Sequence, residues 1–292
     1  MKPQDSHDAD APQGAPIAII REDWVRHDGI DFHLLTAGPD DGRELALILL
    51  HGGGSRADYF RDLMMRLGDD RRVVAFDQRA FGQTKITDTT PVDHARWASD
   101  VLGVMDAIGI GKAALLGWSM GATVAINAAW LSPERIGRLI LLGGPDPDNG
   151  VNVARLRERQ VETAGLDAAA IKARDAVEIA AALGPAARAR PALIERLVED
   201  RAATPPARAA LAIGGYASRP NLAARLSALA CPVAIIGGSA DSISTPAVIA
   251  RLAAHIPQSR VTMLEGCGHY HVAEEPDAIA RIVSAELGAV KL

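Results

Sequence analysis

A serine hydroxyl is a weak nucleophile near pH 7, so attack on a carbonyl needs a base to take its proton and a third group to orient that base. Gly117, Trp118, Ser119, Met120 and Gly121 spell G-x-S-x-G between the apolar run 113–116 and the small-residue helical pattern 122–130. A serine at the tip of such a turn takes a strained backbone conformation that holds its hydroxyl out. Glycines on either side let strand and helix approach without Cβ clashes. The alternative is an ordinary Gly-rich strand–helix turn.

The two missing roles have candidates later in the chain. His269 follows the run 260–264 and can act as the base; Asp241 follows the run 232–237 and can accept its Nδ1–H and stabilise the imidazolium. The chain order is Ser, Asp, His, the order described for α/β hydrolases. His271 and Asp146 are the alternatives for base and acid. His51, Gly52, Gly53 and Gly54 directly follow the run 45–50. Three glycines let backbone N–H groups face a cavity, as an oxyanion hole requires. A flexible loop is the bland reading, and a P-loop would need a Lys-Ser/Thr ending that is missing.

The elements that must position these groups follow from the hydrophobic pattern. Residues 24–27 and 32–37 flank Asp28-Gly29 and read as an antiparallel hairpin at a sheet edge. Runs 45–50, 73–76, 113–116, 138–142, 232–237 and 260–264 read as strands, continuous enough to be covered on both faces. Helical spacing over 58–67, 98–108, 122–130, 248–255 and 276–287 alternates with them. Such alternation implies a mostly parallel sheet with helices on both faces, eight strands in all. From 151 to 218 no strand is convincing, and stop signals at Gly165, Gly184-Pro185 and Pro205-Pro206 divide three or four short helices. The division expected is an N-terminal arm over 1–20, an α/β core over 21–145 and 222–292, and a helical cap over 146–221. In the loop 77–84, Asp77 and Arg79 are expected to form an ion pair or hydrogen bonds within the loop.

Composition excludes several classes. The 292 residues are 48% hydrophobic, enough for a real core. A net charge of -5 and no run of Lys or Arg argue against a nucleic-acid or membrane partner. Two cysteines, Cys231 and Cys267, are too few for a disulfide framework and lack metal-ligand spacing, so a cytoplasmic protein is expected. No apolar run approaches the roughly 20 residues of a membrane span, and residues 1–20 lack a signal-peptide pattern.

With Ser119, Asp241, His269, the His51–Gly54 run and the segment 77–84 in view, residues 24–287 resemble the α/β-hydrolase fold family, in the branch with a helical cap after the sixth strand. The segment 77–84 is similar to that family's D-x-R-G-x-G-x-S loop, with Ala80 for a glycine and Thr84 for the serine. Gly268-His269 with Glu274 and Pro276 resembles its catalytic-histidine segment. The resemblance implies oxyanion amides from Gly53 and Met120, with Gly54 as the alternative. It also implies no metal or organic cofactor. Trp118, Met120, Trp130 and Tyr216 are candidates for an apolar lining, and Gly54 and Tyr270 for further substrate contacts. The function expected is hydrolysis of a small to medium, mostly apolar ester or lactone through an acyl-enzyme on Ser119. Carbon–carbon hydrolysis of a vinylogous 1,5-diketone and a non-catalytic ligand receptor are the alternatives. The partner expected is a small molecule, with monomer or homodimer left open.

Overall fold

The computed structural model describes residues 18–87, 90–148 and 153–288. Residues 1–17 of the expected arm and 149–152 of the expected cap lie outside the described residues. The strands are β1 (Arg21–His27), β2 (Ile30–Ala37), β3 (Ala46–Leu50), β4 (Val73–Phe76), β5 (Ala113–Trp118), β6 (Ile136–Leu142), β7 (Val233–Gly238) and β8 (Arg260–Leu264). They form one sheet in the order β1-β2-β4-β3-β5-β6-β7-β8. β1 pairs antiparallel with β2 and β2 with β4; every other pairing is parallel.

Aliphatic runs become central strands because both their faces are covered. Along β3, Ile48 and Leu50 face one core, while Leu47 and Leu49 face the other. The first core includes side chains of the helices α2 (His94–Ala107), α3 (Met120–Leu131) and α10 (Pro246–Ala254); the second includes those of α1 (Arg61–Leu67) and α12 (Pro276–Gly288). Each fully buried Leu or Ile contributes about 1.5–3 kcal/mol, which is what fixes the register of these strands.

Two helices begin differently from the pattern. α2 starts at His94 rather than 98, because the Asp93 side chain accepts the Arg96 amide and caps it. The turn Ala57–Phe60 is 3-10 helix, with α1 following it.

Between β6 and β7 lie α4 (Val153–Gly165), α5 (Ala168–Ala182), α6 (Pro185–Arg188), α7 (Pro191–Ala202), α8 (Pro206–Tyr216) and α9 (Ala223–Ser227). Gly184-Pro185 stops α5 and restarts the chain as the single turn α6, since proline suits the first helical position. α4 packs on α8 and α5 on α7. The group is tied to the sheet loops from several sides. Arg56 donates to Asp200 at 3.2 Å, Arg208 donates to the carbonyls of Thr84 at 2.7 Å and Gly82 at 2.9 Å, and the Gly82 amide donates to Thr204 Oγ1 at 2.9 Å. The remaining element, α11 (His271–Glu274), follows β8 and precedes α12.

The pairing of Asp77 with Arg79 does not form. Asp77 accepts the amides of Ala57 and Gln83, both at 2.7 Å, and lies 3.1 Å from His33 Nδ1. Arg79 instead grips Asp100 through Nε at 2.8 Å and Nη2 at 2.7 Å. The ion pair is therefore absent, while the expected hydrogen bonding within the loop is present in the Gln83 amide's bond to Asp77; Arg79 finds its carboxylate on α2.

Candidate active site

Ser119 stands between β5 and α3 with φ 54 and ψ -114, a conformation that costs a non-glycine residue of order 1–3 kcal/mol. The turn is so tight that a Cβ on Gly121 would overlap the Leu50 carbonyl, and one on Gly117 would overlap the Gly121 carbonyl. Strain here holds the hydroxyl at the carboxyl edge of the sheet. β7 and β8 deliver Asp241 and His269 to the same edge.

His269 Nε2 lies 3.0 Å from Ser119 Oγ, and His269 Nδ1 lies 2.8 Å from Asp241 Oδ2. The other Asp241 oxygen accepts the amides of Ile243 at 2.8 Å and Ser244 at 2.9 Å. Burial is the largest single influence on the Asp241 carboxylate and works against it, but the His269 hydrogen bond, the nearby imidazoles and the Ile243 amide together outweigh it and hold the pKa below its ordinary value. An ionised Asp241 fixes the Nδ1–H tautomer, leaving Nε2 free to accept the serine proton. The Trp118 indole donates to the His269 carbonyl at 2.7 Å and braces the same loop.

The alternatives stand outside this relay. Asp146 pairs with Arg251. His271 is fully buried with its Nε2 3.8 Å from Asp241 Oδ2, and burial lowers its pKa to about 4, so it stays neutral.

A cavity of about 580 Å³ opens onto Ser119 and His269, and Gly53, Gly54, Trp118, Met120, Tyr216 and Tyr270 all line it. Trp130 does not: it is half exposed at the far end of α3, under the Arg225 guanidinium. Only the start of α3, at Met120 and Thr123, reaches the cavity. The Met120 amide is the first of α3 and has no carbonyl partner within the helix, so it can serve an oxyanion. His51 shapes the opposite loop. Its Nδ1 lies 2.8 Å from the Gly52 carbonyl and its Nε2 accepts the Gln78 amide at 3.0 Å, which requires the neutral Nδ1–H form. Burial lowers its pKa, in keeping with that form.

The helical insertion contributes a charged roof that the sequence reading missed. Glu178 accepts from Arg159 at 2.7 Å and Arg201 at 3.3 Å, while Asp175 lies 3.2 Å from Arg174 and 3.5 Å from Arg201. Three guanidiniums thus share two carboxylates. Arg201 also presses on the glycine loop, since a Cβ on Gly54 would come within 2.9 Å of its Nε. His94 is a second missed lining residue, buried with its Nδ1 unpartnered. Neither stands in a motif, and no spacing in the sequence singles them out. Among the described residues no group of three or more His, Cys, Asp or Glu side chains is placed to hold a metal ion, and no helix is long and apolar enough to cross a membrane.

Comparison with known proteins agrees with this fold. The profile of the alpha/beta hydrolase fold matches residues 46–276. A polyketide synthase of Burkholderia thailandensis is 30% identical over 232 residues, 78% of this chain, yet the match spans only 11% of the synthase. A 2-hydroxy-6-oxononadienedioate/2-hydroxy-6-oxononatrienedioate hydrolase of Comamonas testosteroni is 40% identical over 111 residues, 36% of this chain and 38% of that hydrolase. The match therefore spans well under two thirds of either relative. Among solved structures, a thermophilic esterase from Thermogutta terrifontis with malate bound superposes with a TM-score of 0.78 at 26% identity, covering 92% of this chain and 98% of the esterase.

Proposed function

Because the chain belongs to the alpha/beta-hydrolase fold family, we propose that it is a cofactor-independent serine hydrolase of an ester or lactone. The observation that carries this reading is the continuous relay from Asp241 through His269 to Ser119 at the wall of the cavity. In the reaction, Ser119 Oγ attacks the substrate carbonyl carbon while His269 Nε2 takes its proton. The amides of Gly53 and Met120 hold the oxyanion. His269 then protonates the departing alkoxide, leaving an acyl group on Ser119. Water, deprotonated by His269, releases the acid and restores the serine. A cavity of about 580 Å³ suits a small to medium substrate.

The test is steady-state hydrolysis of short 4-nitrophenyl esters and a lactone panel by wild type and Ser119→Ala. Loss of the nucleophile should lower kcat by about 10⁴-fold or more. Retention of most of the activity by the variant would refute the reading.

A second reading is supported by the roof. The Comamonas testosteroni relative is by name a hydrolase of a dienedioate, and Arg201, beside Gly54, is the guanidinium in excess of the two roof carboxylates. An arginine there suits a substrate carboxylate close to the reacting carbonyl. Carbon–carbon hydrolysis of a vinylogous 1,5-diketone acid would use the same relay. Decay of a coloured dienol substrate supports this alternative; inertness to such compounds alongside ester turnover excludes it.

A further inference from the structure

Glu274 is a buried carboxylate that the proton relay does not touch. Its Oε2 accepts the amide of Gly268 at 2.8 Å and that of Gly184 at 2.9 Å, and its Oε1 accepts the amide of Tyr270 at 3.0 Å. Gly268 and Tyr270 flank His269. Gly184 lies in the junction between α5 and α6, in the helical insertion that roofs the cavity. One side chain therefore joins the roof to both neighbours of the histidine. Among the described residues Glu274 has no ion-pair partner, so backbone amides are what offset its charge.

The same junction makes two more bonds at this edge. The His269 amide donates to the Ala182 carbonyl at 2.8 Å, and the Ser242 hydroxyl, next to Asp241, donates to the Ala181 carbonyl at 3.4 Å. Contact is close enough that a Cβ on Gly268 would overlap the Gly184 nitrogen, and one on Gly184 would overlap the Gly266 carbonyl. There is no slack between roof and histidine loop.

We propose that Glu274 is a positioning residue: its carboxylate clamps the α5–α6 junction onto the loop carrying His269, so that seating of the roof and the His269-to-Ser119 distance are set together. The clamp needs a carboxylate, since it accepts on both oxygens at once. A glutamine must turn its NH₂ toward one set of amides, where donor would face donor. That would part the two segments, and a displacement of about 1 Å at a reacting group can cost 10²-fold in rate.

The inference rests on the hydrolase reading, and wild type serves as the control for it. Glu274→Gln and Glu274→Asp are compared with wild type for 4-nitrophenyl butyrate turnover and for the rate of Ser119 labelling by a fluorophosphonate, both per folded molecule as judged by circular dichroism. The expected result is a fall of about 10²-fold in kcat and in labelling rate for Glu274→Gln, with KM nearly unchanged and partial recovery in Glu274→Asp. A folded Glu274→Gln that labels and turns over like wild type overturns the proposal, as does a change confined to KM. If Glu274→Gln does not fold, Glu274→Asp decides: wild-type labelling overturns the clamp, and slowed labelling supports it. Wild type that neither labels nor turns over removes the hydrolase reading, and the clamp falls with it.

Discussion

The Tyr216 hydroxyl occupies the space that a Cβ on Gly53 would need. A residue from α8 therefore packs directly on the loop whose amide is assigned to the oxyanion. Gly53→Ala must push either the tyrosine or the loop aside, and kcat for a short ester should fall by about 10²–10³-fold, the usual cost of losing one oxyanion donor. Adding Tyr216→Ala removes the atoms in conflict and should restore part of the rate. Steady-state kinetics of the single and double variants check this; an unimpaired Gly53→Ala would contradict the assignment.

Arg201 can be removed without unbalancing the roof, since Arg159 keeps Glu178 and Arg174 keeps Asp175. Arg201→Gln should fold. If a substrate carboxylate binds there, kcat/KM for mono-4-nitrophenyl glutarate should drop about 10- to 100-fold, the loss expected for a charge-assisted hydrogen bond, while 4-nitrophenyl pentanoate is unaffected. Equal effects on both esters would mean that no anion binds at Arg201.

Stability should fall on mild acidification. Burial, helped by Arg219, lowers His94 to about 3, and burial with the neighbouring His269 lowers His271 to about 4, against an ordinary value of 6.5. The unfolded chain takes up these protons near pH 6.5 and the folded chain does not. Their stabilising contribution is therefore whole above pH 6.5 and declines as pH falls from there toward 4. The carboxyls of Asp77 and Asp241, held below their ordinary value, lose theirs only lower still. His94→Phe keeps a ring against Trp97 and removes one such proton. Its stability should vary less steeply between pH 4.5 and 6.5, by about 1.4 kcal/mol per pH unit, as read by urea unfolding. An unchanged slope would mean that His94 titrates normally.

Asp100 and Arg79 form a buried pair between α2 and the 77–84 loop, with side chains 1% and 3% exposed. Among the described residues, Asp100→Ala leaves a buried guanidinium with only the exposed Asp28 as a carboxylate partner, which should cost about 3–5 kcal/mol. A lowered thermal midpoint with normal activity per folded molecule is expected. A midpoint shift of a degree or less would contradict it.

That Ser119, Asp241 and His269 come together was legible because each candidate role demands a particular residue type and each residue follows an unmistakable aliphatic run. The mostly parallel sheet was legible for the same reason, since alternation of strand and helix implies parallel pairing. The roof was not. Glu178 lies four and three residues beyond the adjacent Arg174 and Asp175 on an Ala-rich helix, a spacing that reads as a solvated face until α4 and α7 dock beside it and turn it inward. The ion-pair alternative for Asp77 and Arg79 misled because neighbours in sequence suggest partners, whereas their side-chain partners His33 and Asp100 lie 44 and 21 residues away. Trp130 misled for a related reason: proximity to Ser119 in sequence says nothing about which end of α3 meets the cavity.

Intact-mass spectrometry after exposure to a fluorophosphonate tests the nucleophile most directly. One adduct per chain on wild type, mapped to Ser119 and absent from Ser119→Ala, is the predicted result. An adduct that persists in Ser119→Ala, or no adduct on a folded wild type that still hydrolyses esters, would contradict it.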